Sequence, residues 1–288
     1  MKNNGLQLTG LTFYEEGCNM APTIYVNEPF QGYREGRSAE EIEERIIALY
    51  EEHRGQEDFD TEAFSDFSRV KDKICYRLVN AAKNRNLLKE IPHRLFQDLA
   101  VTYYVAVEIE GDIAGTVHIR NDMLQIWDTD EETLYKLACR NTPDIMLGRI
   151  EPMTSMLWEM IGIYEESLRM QPEEDIGPEG ISCVMRTGDK DEFAYIASNR
   201  RKTNGAAIVL YDKILKAFAD KTGHDFYILP SSVHEVLLVP ILPGAPKEQA
   251  LLRMVREVNA SHVAAEEILS DNIYLYHKES GRLEMIGA

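Results

Sequence analysis

Ser231, Ser232, His234 and Glu235 bring a hydroxyl, an imidazole and a carboxylate into one short run. A serine beside a histidine base could support nucleophilic chemistry. On an extended strand, however, Ser232 and His234 would share a face about 7 Å apart, too far for an Oγ–imidazole hydrogen bond. No G-x-S-x-G elbow surrounds either serine. A Pro-Ser-Ser turn whose hydroxyls satisfy nearby backbone groups explains the same residues without catalysis. Ser232, His234 and Glu235 are therefore candidates only, and no complete catalytic set is expected.

A second grouping precedes it. The run Asn199-Arg200-Arg201-Lys202-Thr203-Asn204-Gly205 sets three cations ahead of a predicted helix start. The helix dipole makes cations unfavourable there, and an anion docked on free N–H groups would relieve the conflict. Asn199, Arg200, Arg201, Lys202, Asn204 and Gly205 are accordingly the candidate anion-binding residues. The run lacks the G-x-x-x-x-G-K-[ST] of a phosphate-binding loop. The simpler reading, which is favoured, pairs these cations with carboxylates such as Asp189, Asp191 and Glu192.

Metal chemistry has less support. The seven histidines show neither H-x₃-H nor HExxH spacing. Asp128, Asp130 and Glu131 lack the ligand period of a calcium loop, and acid in the first turn of a helix accounts for them. No metal and no cofactor is expected. The net charge of −18, from 49 acidic and 31 basic residues, argues against nucleic acid and anionic membrane surfaces as partners. Cys18, Cys75, Cys139 and Cys183 lie far apart without a C-x-x-C, which suits free thiols in a reducing cytoplasm. The first ten residues lack an apolar signal core, and no apolar run approaches the roughly 20 residues of a membrane span. The aromatic side chains, among them Tyr103, Tyr104, Trp127, Trp158, Tyr164, Phe226 and Tyr227, read as core.

The elements that must position these groups follow from periodicity. Apolar residues from Ala206 through Ile208, Tyr211, Ile214, Leu215 and Phe218 predict one continuous amphipathic helix stopped by Lys221 and Gly223. Strands follow at 225–229 and 235–241. Upstream, strands are predicted at 6–14 and 22–26. A capping box at Ser38/Glu41 opens a helix that turns Ile42, Ile46, Ile47, Leu49 and Tyr50 inward. A helix is expected at 61–70, and 73–80 fits helix or strand. Residues 98–119 predict a hairpin turning at Glu110-Gly111-Asp112. A capping box at Thr129/Glu132 opens a helix to about Asn141. A short strand at 145–150 and a helix at 153–168 come next. The Pro/Gly/acid stretch 171–180 reads as a linker. A strand pair at 181–186 and 193–197, a helix from Pro246 to Val258 and a hairpin at 273–286 complete the chain. This predicts an α+β fold: antiparallel sheet built from repeated strand–strand–helix units with helices packed on it. It divides as an N-terminal lobe at 1–170 and a C-terminal lobe at 181–288, an arrangement compatible with one compact unit.

KNNGLQLTGLTF with PTIYVNEPFQGYREG, IASNRRKTNGAAIVLYDKIL, and YILPSSVHEVLLVP with MVREVNASHVAAEEILSDNIYLY together resemble a bacterial family catalogued as domain of unknown function 5688. The middle and C-terminal parts resemble family 1444 more weakly. The resemblance implies an additional helix and strand ahead of the Asn3-Asn4-Gly5 turn at which this chain begins. It implies no catalytic residue. The functional expectation is a soluble cytoplasmic binding or interaction protein, with a protein or a small anionic ligand as partner. The alternative is an enzyme acting on a small phosphate or carboxylate substrate at Arg200/Arg201, near His234.

Overall fold

The computed structural model describes residues 3–13, 23–53, 64–109, 112–155, 183–186 and 192–287. Residues 156–168 of the predicted 153–168 helix, the 171–180 linker, Cys18, Trp158, Tyr164, Asp189 and Asp191 lie outside these residues.

A small N-terminal unit comes first. Strands β1 (Gly10–Thr12) and β2 (Thr23–Tyr25) pair antiparallel, and helices α1 (Asn27–Arg34) and α2 (Ala39–His53) follow. The Ser38 capping box forms as its spacing predicts: Glu41 N donates to Ser38 Oγ at 3.2 Å and Ser38 N to Glu41 Oε2 at 2.8 Å. Ile47, expected inward, is 51% exposed.

Next stands a four-stranded antiparallel sheet. After the single helical turn α3 (Phe67–Val70), β3 (Ile74–Asn80) resolves the ambiguity at 73–80 as a strand. The turn α4 (Arg85–Leu88) leads to β4 (His93–Phe96), β5 (Leu99–Ile109) and β6 (Asp112–His118). β3 pairs along one edge of β5, from Leu99 to Val105. β4 and β6 share its other edge end to end, β4 against 99–102 and β6 against 104–109. Three strands thus run without an intervening helix, which departs from a regular strand–strand–helix order.

Helices α5 (Asn121–Ile126) and α6 (Glu131–Ile145) cross to the second sheet. The α6 cap is Asp130 rather than Thr129: its extended backbone lets Oδ1 accept from Thr133 N at 2.9 Å. The helix runs past the expected end near Asn141 to Ile145, with Pro143 in its last turn. At that end Thr142 Oγ1 accepts from Tyr76 N at 3.1 Å, and Asn141 Nδ2 donates to Lys71 and Ile74 carbonyls, fastening the helix to β3.

The larger sheet has seven strands: β7 (Gly148–Pro152), β8 (Cys183–Met185), β9 (Tyr195–Asn199), β10 (Phe226–Pro230), β11 (Val236–Pro240), β12 (Ile273–Tyr276) and β13 (Leu283–Ile286). Their order is β13-β12-β10-β11-β9-β7-β8. The expected 181–186/193–197 pair is not direct: β7 lies between, parallel to β8 and antiparallel to β9. The strand at 148–152 therefore belongs to the sheet built by the later part of the chain.

The predicted 206–218 helix is broken. Gly205–Leu210 is a 3₁₀ helix, and α7 (Ile214–Thr222) starts only after Lys213, whose φ is 61°. The cause is tertiary. Buried Tyr211 donates from its hydroxyl to Met146 O at 2.6 Å and takes extended backbone there, so the helix cannot run through. Ile208, Tyr211, Ile214 and Phe218 are buried all the same. Phe218 meets Phe226 edge-on with centroids 4.8 Å apart, and Tyr195 at 5.1 Å. One hydrophobic cluster joins β3 and β5 of the small sheet, α6 and α7, and β7 to β12 of the large one. Helix α8 (Glu248–Ser261) covers the opposite face of the large sheet through Leu251 and Val255, against Tyr227, Leu229, Val239 and Ile273. The described structure is thus α+β, with two antiparallel sheets, of two and four strands, and one mixed sheet of seven.

Polar clamps seal the seam. Asp98 accepts from Tyr274 Oη at 2.6 Å, Ser270 Oγ at 2.5 Å and Asn272 Nδ2 at 3.0 Å. Asn3 donates to Glu266 O, Asn4 donates to Ala265 and Ile268 carbonyls, and Asn84 Nδ2 donates to both asparagines. The Asn3-Asn4-Gly5 motif is therefore a clasp across the two ends of the chain.

Candidate functional site

The two groupings singled out by residue type meet in space. Asn199 ends β9 and folds the next residues around its own side chain. Its Oδ1 accepts from Arg201 N at 3.0 Å and Thr203 N at 3.3 Å, and its Nδ2 donates to Thr203 O at 2.8 Å. Lys202 and Asn204 take left-handed backbone, with φ of 51° and 52°, which closes the turn. Gly205 then passes so close to the neighbouring chain that a Cβ would collide with Ser198 Oγ and lie 2.5 Å from His234 O. Glycine is required there for space.

The 231–235 turn supplies the other wall. Ser232 Oγ accepts from His234 N at 3.0 Å, and Ser231 Oγ donates to Glu235 Oε1 at 3.4 Å. Across the junction, Asn204 N donates to His234 Nδ1 at 3.2 Å, and Ser198 Oγ donates to His234 O at 2.8 Å. Accepting at Nδ1 places the imidazole proton of a neutral ring on Nε2, which lies 3.5 Å from Glu267 Oε1.

This geometry limits the chemistry. His234 meets the Arg200 loop, but its ring engages Asn204 and Glu267, and the Ser232 hydroxyl serves its own turn. Ser232 and His234 therefore do not form a nucleophile–base pair. The backbone donors of the loop are also engaged: Arg200 N with Leu147 O, Lys202 N with Asn199 O, Ala206 N with Val233 O, and Ala207 N with Asn204 O. The helix that follows is a six-residue 3₁₀ segment, without the dipole of a long α-helix. An anion at this loop would have to be held by the exposed side chains of Arg200, Arg201 and Lys202, and both arginines already have interactions within the chain. Glu192, offered as their partner, is buried and accepts from Thr154 Oγ1 at 2.6 Å. Among the described residues no three His, Cys, Asp or Glu side chains cluster as metal ligands. Cys75, Cys139 and Cys183 carry free thiols.

Spacing in the sequence gave no signal for other polar groups. Arg94 forks onto Glu131 with two 2.9 Å bonds, reaches Glu132 at 2.6 Å, and lies 3.7 Å above the Tyr135 ring. Burial raises the Glu131 carboxyl, but Arg94 and the Tyr103 hydroxyl outweigh it and hold it below the usual range. These partners sit 37 residues apart, so only the fold pairs them.

The N-terminal unit offers a different kind of surface. Leu11, Val26, Phe30, Tyr33, Ile42 and Ile46 line an apolar groove of about 520 Å³ between the hairpin and its two helices. Phe30 is 59% exposed and Tyr33 54%. The apolar spacing of α2 could reveal an amphipathic helix, but not that its apolar stripe would stay partly uncovered.

No helix among the described residues is long and apolar enough to cross a membrane. No curated protein and no solved structure matches the chain. Over residues 1–278 it matches the family of unknown function DUF5688, and it belongs to that family.

Proposed function

We propose that this chain is a cytoplasmic binding protein without catalysis of its own, and that its N-terminal groove takes an apolar segment of a protein partner. The observation that carries the reading is the exposure of apolar side chains that line that groove: Leu11 is 43% exposed, Phe30 59% and Tyr33 54%. An exposed apolar patch of this kind marks an interaction surface more often than a bare monomer surface. Charge selects the partner. Residues 23–53 hold eight glutamates against three arginines, and six of the glutamates lie on α2. A cationic amphipathic helix therefore complements both the groove and its surroundings. The test is fluorescence anisotropy with designed cationic and anionic amphipathic peptides of equal hydrophobicity. The parent is expected to bind the cationic peptide, and Phe30→Ser/Tyr33→Ser to bind it at least tenfold more weakly. Equal binding by parent and variant, or no binding by either, would contradict the reading.

A second reading keeps the small-anion enzyme, because Asn204 and His234 do meet at 3.2 Å. It requires His234 to leave Asn204 or Glu267 before its ring can act as a base. Turnover of a phosphate or carboxylate substrate that is lost in His234→Gln, with folding retained, would favour it over the binding reading.

A further inference from the structure

The four-stranded sheet turns one face to the main core, and its other face is apolar at both ends with a polar strip between them. Strand register sets Cys75, Tyr104 and His118 in one row across it, and Arg77, Thr102 and His93 in the next. Apolar clusters close the two ends of this face. Val79 and Ala100 lie under Leu88 and Ile91 at one end, and Cys75, Tyr104 and Ala106 pack with Met146 at the other. Between them Arg77 reaches across β5 until its Nη2 lies 2.8 Å from Nε2 and 3.2 Å from Nδ1 of the exposed His118 ring.

Two polar atoms on this strip are out of solvent with no partner: Arg77 Nε, and Oγ1 of Thr102, a residue 0% exposed. A guanidinium stays charged, so Arg77 cannot escape the cost by losing its proton. Leaving such donors unpaired is costly. The chain carries 49 carboxylates, yet among the described residues none pairs with Arg77, whose side-chain contact is an imidazole. The fork of Arg77 and the hydroxyl of Thr102 are a donor set matched to an oxyanion.

We propose that the outer face of the four-stranded sheet is a binding site for a small oxyanion, held by Arg77 and Thr102 and flanked by His93 and His118. The ligand class is a small molecule bearing a phosphate or a carboxylate group. Partial desolvation, and then the Arg77 charge, lower the His118 pKa from the usual imidazole range to about 4. His118 is thus neutral at pH 7 and adds no second cation to an empty site. Among the described residues, the titratable groups that strand register sets beside it are Arg77 and Cys75 from β3, Tyr104 from β5 and His93 from β4, and none of these is a carboxylate. An oxyanion bound at Arg77 beside His118 favours the imidazolium, so binding takes up a proton and tightens as pH falls below neutrality.

The site is independent of the N-terminal groove and is tested separately. The full chain, in low-salt buffer, is titrated in two arms with inorganic phosphate and with succinate while the Arg77 Nε–H and His118 ring resonances are followed by NMR. Saturable shifts of both resonances in at least one arm are expected, and the arm that responds identifies the group. Affinity should fall at least tenfold in Arg77→Met and in the near-isosteric Thr102→Val. If neither anion moves these resonances, or if a folded Arg77→Met binds as the parent does, the site is refuted. Should Arg77→Met not fold, the parent titration and Thr102→Val decide.

Discussion

The junction of the 199–205 loop with the 231–235 turn, and the groove of the N-terminal unit, are opposites. The junction holds the residue types that suggest chemistry, and its polar groups are largely consumed by one another. Asn199 satisfies two loop N–H groups, His234 accepts from Asn204, and Ser232 accepts from its own turn. The groove is lined mainly by common apolar residues, and several of these remain partly uncovered. Reactive residue types are thus a poor guide to function when they are also good turn formers. Ser, Asn, His and Asp satisfy backbone groups by the same hydrogen bonds that catalysis would need. What separates the two regions is whether the side chains still have unmet interactions after folding.

That contrast makes the junction sensitive to substitution and the groove tolerant. The largest effect is expected at Gly205, where an added methyl meets Ser198, His234 and Asn199 backbone or side-chain atoms. Gly205→Ala should destabilise by about 1–3 kcal/mol or more, measured by urea unfolding. An unchanged midpoint would mean the loop is looser than described. Asn199→Ala should cost about 1–3 kcal/mol, because buried Asn199 leaves the Arg201 and Thr203 N–H groups without their acceptor. A loss below about 0.5 kcal/mol would show that water replaces the side chain, and the junction would no longer count as closed.

At the other end of the scale, Phe30→Ser/Tyr33→Ser should change stability by no more than about 0.5 kcal/mol per site, because both rings are more than half exposed. A loss of several kcal/mol would make these rings part of the fold's core. The groove would then lose its standing as a docking surface.

Much of the fold could be read from local pattern. The 98–119 hairpin follows from its run of Val, Thr and Tyr, the Ser38 cap from its spacing to Glu41, and the α7 stop from Gly223, whose φ of 82° suits glycine. What stayed hidden depends on distant partners. The 206–218 spacing fits one helix, but Tyr211 takes extended backbone there and bonds to Met146, 65 residues away. The insertion of β7 between β8 and β9 leaves no mark in the composition of any of the three. The candidate residues themselves were legible by type, but their mutual satisfaction was not, because Asn204 and His234 lie 30 positions apart. Arg77 looks like any strand arginine until the register places it beside Thr102 and His93.

Partner recognition is proposed to lie in the N-terminal groove and not at the junction. Hydrogen–deuterium exchange of the full chain, with and without a saturating cationic amphipathic peptide, tests it most directly. Added protection is expected within residues 23–50, which carry Phe30, Tyr33, Ile42 and Ile46, and none at residues 199–205 or 231–235. Protection confined to the junction, with the 23–50 segment unchanged, would contradict it.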